Sequence, residues 1–440
     1  MKVLKFGGTS VGSPENMRAV MQLVADGEQK IIVLSAMSGT TNALVEISNY
    51  LHKKNKDAAS IAIGVLEAKY KKVVDELYVS DEGKKQGTEV VKKCFGTIKS
   101  FTSGKFDLLG ENTILAQGEL ISTQLVAALM KESGFDVKLL PALDYMRIDE
   151  DKVANAQAIA EGIKKVMKEV GDALYYITQG FICLNANGEI DNLQRGGSDY
   201  TASLIGAAID AEEIEIWTDI DGFHNNDPRY VDNTKKIDQL SFNEAAELAY
   251  FGAKILHPQT VLPARVHNIP VRLKNTMNPS DSGTLITLES DGKGIKAVAA
   301  KDGITAVKIR SSRMLMAYGF LKNIFEVFER YKTPIDMIST SEVAVSLSID
   351  NTKFLNQIQT ELEKYGTVEI DEDMSIICIV GDIIQEEKGF ASRIFNALDG
   401  IPIRMISYGG SRSSISILVP TAHKVQTLQS LSNNLLNSSH

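Results

Sequence analysis

Cysteine is scarce in this chain: 440 residues hold 3, Cys94, Cys183 and Cys378, far apart in sequence. An odd number without a close pair supports neither a disulfide framework nor a zinc site, so these thiols are expected to be reduced and buried. Long apolar runs are missing too. The start Met1-Lys2-Val3-Leu4-Lys5-Phe6 is too short for a secretion signal, and no stretch approaches the ~18 apolar residues of a membrane span, so the expected location is cytoplasmic. Positive charge is in deficit. With 47 Lys and Arg against 56 Asp and Glu, the net charge of −9 argues against nucleic acid or an anionic membrane as partner of the surface as a whole. No GxxxxGK[ST] occurs, which excludes a P-loop enzyme, and the histidines show no metal-site or nucleophile spacing.

The remainder is ordinary globular material, 44% apolar and 23% charged, and its length predicts two or three domains. Residues 3–6 read as a short buried strand that stops at Gly7-Gly8, after which Ser13-Pro14 offers an N-cap and a first-turn proline. The pattern recurs at once. Residues 31–36 are a β-branched run, 37–42 a turn rich in hydroxyls and 43–52 a helix. Such alternation predicts parallel βαβ units, whose ligands sit at the carboxyl ends of the strands. Residues 57–102 are polar and helical, with Leu66, Tyr70, Val73, Val74 and Leu77 at helical spacing, and read as a helical insertion. Asn187-Gly188 between two apolar runs marks a β-hairpin.

After about residue 294 the pattern changes to short strands and helices that repeat. Gly319-Phe320, Ile324-Phe325 and Ser341 return 70 residues later as Gly389-Phe390, Ile394-Phe395 and Ser411, and Ile335 to Ser339 answers to Ile403 to Ser407. Each copy reads as a ferredoxin-like βαββαβ unit.

The stretch Arg195-Gly196-Gly197-Ser198-Asp199 joins a diglycine turn to a helix of small residues, so backbone N–H groups converge where an anion is favoured. Lys5, two residues before Gly7-Gly8, is open to two readings, an edge-strand lysine in water or a cation beside amide donors where a phosphate binds. Arg195, Asp199, Thr218-Asp219, Arg229 and Lys254, all near inferred strand ends or turns, tip the balance toward phosphate.

Seven ordered motifs then coincide: Lys5-Phe6-Gly7-Gly8-Thr9-Ser10, Leu34-Ser35-Ala36 through Thr41-Asn42, Gly118-Glu119, Arg195 to Ala202, Trp217-Thr218-Asp219, Asp227-Pro228-Arg229 and Phe251 to Pro258. Together they resemble the aspartate kinases, and the doubled C-terminal unit resembles that family's paired ACT domains. The resemblance implies an α/β fold: a three-layer αβα amino-acid-kinase domain over 1–290 with a mainly parallel sheet, then tandem ACT domains over 294–440. One ACT domain would span about 294–370 plus the C-terminal tail, the other about 371–420, with the helix from Thr421 to Leu436 packing back on the first.

By the same resemblance the reaction is ATP-dependent phosphorylation of the L-aspartate side chain, with Mg²⁺ bridging phosphates. Lys5 and Asp199 would be catalytic. Ser35, Thr41, Glu119, Arg195, Gly196, Gly197 and Ser198 would bind aspartate. Lys5, Phe6, Gly7, Gly8, Thr218, Asp219, His224, Arg229, Lys254 and Ile255 would bind ATP, His224 standing where the family often has tyrosine. Without the resemblance Glu119 reads as an exposed helix glutamate. Met314, Phe320, Leu321, Asp336, Thr340, Ser341 and Glu342 look like the lysine-sensitive branch, Asp336 and Glu342 matching the ammonium groups of lysine. A homodimer or homotetramer formed through the ACT domains is expected, without a fused dehydrogenase. The alternatives are an acetylglutamate or glutamate kinase, and a catalytically dead amino-acid sensor.

Overall fold

Strand β1 (Lys2–Phe6) runs into a turn that ends where the Ser13 hydroxyl accepts the Asn16 amide and Pro14 opens α1 (Pro14–Val24). The computed structural model describes residues 1–193, 196–252, 256–292, 294–314, 318–382 and 389–436. Next come β2 (Lys30–Leu34) and α2 (Thr40–His52). The helical insertion is two helices, α3 (Lys56–Leu77) and α4 (Asp81–Ser100), capped by the side chains of Asn55 and Ser80. All five apolar residues predicted on its inner face are buried.

Helix α5 (Leu108–Glu132) is long and apolar enough to cross a membrane, contrary to the sequence-based expectation that nothing approaches that length. Its apolarity has another cause: 72% of that stretch is buried inside the fold. There follow β3 (Val137–Leu140), α6 (Ala142–Tyr145), α7 (Ala156–Val170) and β4 (Tyr175–Gln179). The predicted hairpin is β5 (Ile182–Leu184) and β6 (Ile190–Asn192), with Gly188 at φ 76°. Helix α8 (Gly197–Ile209), β7 (Ile214–Thr218), β8 (Gln239–Ser241), α9 (Phe242–Phe251), α10 (Leu262–Val266), β9 (Val271–Asn275) and β10 (Thr284–Thr287) bring the chain to the repeat.

The chain divides into two compact units, residues 1–222 with 256–288 and residues 223–255 with 289–440. In the first, the strands lie in the order β3-β4-β2-β1-β7-β9-β10, parallel except for β10 against β9. Every residue of β2 and β4 is buried, as strands covered on both faces must be. Leu4, Phe6, Ile32 and Leu34 pack with α1 to α5 in one core, while α8 lies against β1 and β7. The register sets Phe6 beside Leu34 and Trp217, and Leu34 beside Gln179, so four strands end at one edge.

The second unit holds β11 (Ile295–Arg310), α11 (Phe320–Arg330), β12 (Met337–Thr340), β13 (Ala344–Ile349), α12 (Leu355–Leu362), β14 (Thr367–Gly381), α13 (Phe390–Asn396), β15 (Met405–Ser407), β16 (Ser414–Pro420) and α14 (Lys424–Leu431). They form an antiparallel sheet, β12-β13-β11-β14-β16-β15, and the repeat shows in the matching starts of α11 and α13, with Gly319 at φ 82° and Gly389 at φ 87°.

Two expectations differ from the structure. The C-terminal helix packs in the core of the second module, where Leu428 and Leu431 join Ile377, Ile394 and Ile415. The exchange runs the other way: the second module takes its remaining strand from the start of β11, through Val298. Residues 223–255, placed by sequence in the catalytic domain, group with the C-terminal unit because Asn225 O accepts the Val298 amide and Glu247 accepts the Ser411 hydroxyl.

Candidate active site

At the shared carboxyl edge of the strands lies a cleft of about 500 Å³. Lys5, the penultimate residue of β1, sends Nζ to within 2.6 Å of Asp199 Oδ1 in the first turn of α8, and both side chains are largely buried. Gly7 and Gly8 turn the chain away at once. A Cβ on Gly8 would lie 2.9 Å from the Ala36 carbonyl, so only glycine lets the β1 turn pass the β2 turn this closely. Gly8 O then accepts the Ser38 amide, and Phe6 O the Ser35 amide.

Two helices start here. Helix α2 begins from Gly39 at φ 79° and α8 from Gly196 at φ 76°, neither with a side-chain cap. Their first amides face the cleft region with the positive end of each helix dipole, a setting suited to anions. Phe181 lines the same cleft at φ 70°, a strained conformation for an aromatic residue, fixed by its amide donating to Thr201 Oγ1.

Glu119, on α5, lines the same cleft. Gly118 lets the helix in, since a Cβ there would meet Ala36 Cβ at 2.9 Å. Glu119 is 4% exposed and accepts the Ala36 amide at 3.2 Å. Burial pushes its carboxyl up to about 8, against the lowering effect of that hydrogen bond. A buried acid with one amide partner suits a ligand cation, and the exposed-glutamate reading is corrected.

The structure thus brings together Lys5, Gly7, Gly8, Ser35, Thr41, Glu119, Gly196, Gly197, Ser198, Asp199, Thr218 and Asp219 around one cavity. Sequence reasoning overlooked Ser38, Gly39 and Phe181, which line it as well; a glycine ahead of Thr40-Thr41 at a helix start was the available signal for Gly39. Phe6 is an exception, its ring fully buried and stacked on Trp217, so only its backbone borders the turn. Arg195, Lys254 and Ile255 lie outside the described residues. His224 and Arg229 belong to the other unit, where His224 bridges to Lys236 and the Arg229 guanidinium grips Asp227 at 2.6 Å.

The predicted effector residues also lie in that unit. Phe320 is buried and Met314 partly buried in the first-module core, whereas Leu321, Thr340, Ser341 and Glu342 are exposed. Asp336 is not a waiting counter-charge: Oδ1 accepts Tyr250 Oη at 2.5 Å and Lys301 Nζ at 2.9 Å, while Oδ2 is buried without a partner.

Residues 1–275 match the Amino acid kinase family and residues 377–435 the ACT domain. The chain is 35% identical to the chloroplastic aspartokinase 3 of Arabidopsis thaliana, over 97% of this chain and 81% of that protein. It is 32% identical to the lysine-sensitive aspartokinase 3 of Escherichia coli, over 98% of each. Among solved structures, E. coli aspartokinase III in complex with aspartate and ADP superposes with a TM-score of 0.81 at 30% identity, over 99% of this chain and 100% of that one.

Proposed function

This chain belongs to the aspartokinases of the amino acid kinase family, and from that premise we propose how its cleft divides the work. The enzyme transfers the terminal phosphoryl group of ATP to the side-chain carboxylate of L-aspartate, giving 4-phospho-L-aspartate, the entry to lysine, threonine and methionine biosynthesis, under regulation through ACT modules. The acceptor is already anionic near pH 7, so no general base is needed. The obstacle is repulsion between two anions.

In our reading Lys5, with the Gly7 and Gly8 amides, neutralises the transferring phosphoryl group, and Asp199 orients Lys5. Glu119 receives the aspartate ammonium group, Ser35 and Thr41 hydrogen-bond the acceptor, and Arg195 grips a carboxylate with its paired N–H donors. Thr218 and Asp219, at the end of β7 and on the cleft wall, hold the nucleotide. The carboxylate of Asp219, with the Thr218 hydroxyl beside it at 3.1 Å, suits a hard, oxygen-preferring ion. When bound with the nucleotide, Mg²⁺ would offset charge on the phosphates.

One observation carries the reading: a buried Lys5–Asp199 pair shares a cleft with a buried, singly bonded Glu119. The decisive assay follows ADP release with L-aspartate, L-glutamate and N-acetyl-L-glutamate as acceptors. Turnover on aspartate is expected, and turnover on N-acetylglutamate without aspartate would overturn it. For the effector the reading favours lysine, supported by the exposed acid Glu342 and by the lysine-sensitive relative. Inhibition by lysine rather than threonine checks it. A homodimer or homotetramer through the ACT modules is supported by apolar side chains left exposed there, Leu321, Ile338 and Val343.

A further inference from the structure

Helices α3 and α4 stand outside the strand–helix alternation, yet two consecutive residues of α3 reach the loop between β2 and α2. Lys69 Nζ donates to the Ser38 carbonyl at 3.0 Å. The Tyr70 and Thr40 hydroxyls are 2.8 Å apart, and both residues are buried. Gly39 lies between the two anchored positions, and Thr41, exposed beside the cleft, follows them. The Tyr70 ring is itself fixed, 5.9 Å from Phe95 of α4. Other parts of the loop are tied elsewhere, Ser38 to Gly8 of the β1 turn and Ala36 to Glu119 of α5. The α3 contacts are the attachments nearest Thr41.

We propose that the α3–α4 insertion positions the acceptor-binding loop, and that Tyr70, through Thr40, holds Thr41 and the start of α2 in the orientation the aspartate requires. This rests on the reading of Ser35 and Thr41 as acceptor-binding residues. The hydroxyl pair is closed off from water, so deleting one member leaves the other without a partner in apolar surroundings. Thr40 can regain a partner by turning toward the cleft, and Gly39, already in the left-handed region, gives the backbone freedom to turn with it. Thr41 moves with them. Burial pushes the Tyr70 ionisation upward, so the phenol stays neutral and able to donate across the working pH range. Tyr70 touches no reacting atom and is a positioning residue.

The test is Tyr70→Phe in the full-length enzyme, which keeps the ring and removes one oxygen. The KM for aspartate is expected to rise about fivefold to tenfold, with the KM for ATP and the Tm near those of the parent. Thr40→Val should match it, and the double variant should be no worse than either single one. Thr41→Val probes the acceptor reading separately. A raised aspartate KM in Thr41→Val with none in Tyr70→Phe overturns the positioning role alone, whereas no change in either overturns the acceptor reading beneath it. Equal losses for ATP and aspartate with a lowered Tm would reduce Tyr70 to a packing residue and also overturn the proposal. If Tyr70→Phe does not fold, Lys69→Met removes the neighbouring attachment from an exposed site: a raised aspartate KM supports the proposal and an unchanged one sinks it.

Discussion

Helices α2 and α8 begin alike and serve differently. Each has 13 residues, each opens from a left-handed glycine, and neither recruits a side-chain cap. Helix α8 carries Asp199 in its first turn, a favourable place for an acid, and that acid holds Lys5. Helix α2 has no acid in its first turn, only the hydroxyls of Thr40 and Thr41. The first helix start is compensated within the chain and fixes a catalytic cation. The second is left electropositive, which suits a ligand anion. Similar backbone geometry thus gives a support in one place and a receptor in the other.

The strongest way to break this contrast is to remove the cation that α8 holds. Lys5→Ala is expected to lower kcat about a thousandfold or more and, by leaving the Asp199 carboxylate unpaired, to lower the Tm; adding Asp199→Asn should cost little further activity because Asp199 acts through Lys5. Near-normal turnover in Lys5→Ala would erase the distinction between the two helix starts.

Next in size is Glu119→Gln, in the same cleft. The KM for aspartate should rise roughly tenfold to a hundredfold, that for ATP far less. Its pH signature is sharper. The folded-state value of about 8 lies above the ordinary 4.5, so between those values the unfolded chain is ionised while the native one keeps its proton. Stability from this group is therefore full below about 4.5 and declines as pH rises toward 8. Glutamine cannot ionise, so the stability difference should shift in favour of Glu119→Gln across that window in denaturant titrations. The substrate ammonium requires the ionised acid, so the parent's aspartate KM should fall as pH approaches 8; the same pH trend in Glu119→Gln would assign it to another group.

The smallest effect compares the glycines themselves. Alanine at Gly39 meets only Lys69 Nζ, 3.8 Å away, and should cost about 1 kcal/mol for the left-handed backbone. At Gly196 the new Cβ would also sit 2.6 Å from Thr260 Cγ2, so a loss of roughly 2 kcal/mol is expected. Equal losses in chemical denaturation would show that the two starts are not packed differently.

Much of this was legible in the sequence because local chemistry decides it. The β-branched runs became buried strands, Ser13-Pro14 opened α1, Asn187-Gly188 turned the hairpin, and the 70-residue repeat reappeared as α11 and α13. The two-helix insertion was read as one block because Tyr78 to Ser80 contain no glycine or proline; the Ser80 hydroxyl makes the break. Long-range packing was not legible. Glu119 looks like a surface residue until Gly118 lets α5 against Ala36. Asp336 looks available until Lys301, 35 residues upstream, claims it across the sheet. The attachment of residues 223–255 to the C-terminal unit depends on bonds between residues far apart in sequence, Asn225 O with the Val298 amide and Glu247 with the Ser411 hydroxyl, which no local pattern announces.

Strands β11 and β14 each run unbroken through both regulatory modules, and their register slips between Lys301 and Ile304, near Gly303 at φ 74° and Asp373 at φ 56°. The two modules are therefore woven on common threads rather than hinged by a tether, and neither can swing alone. Whatever settles in one half must wring the whole ribbon, and the slipped register, with Lys301 at its rim, is where such a ribbon gives.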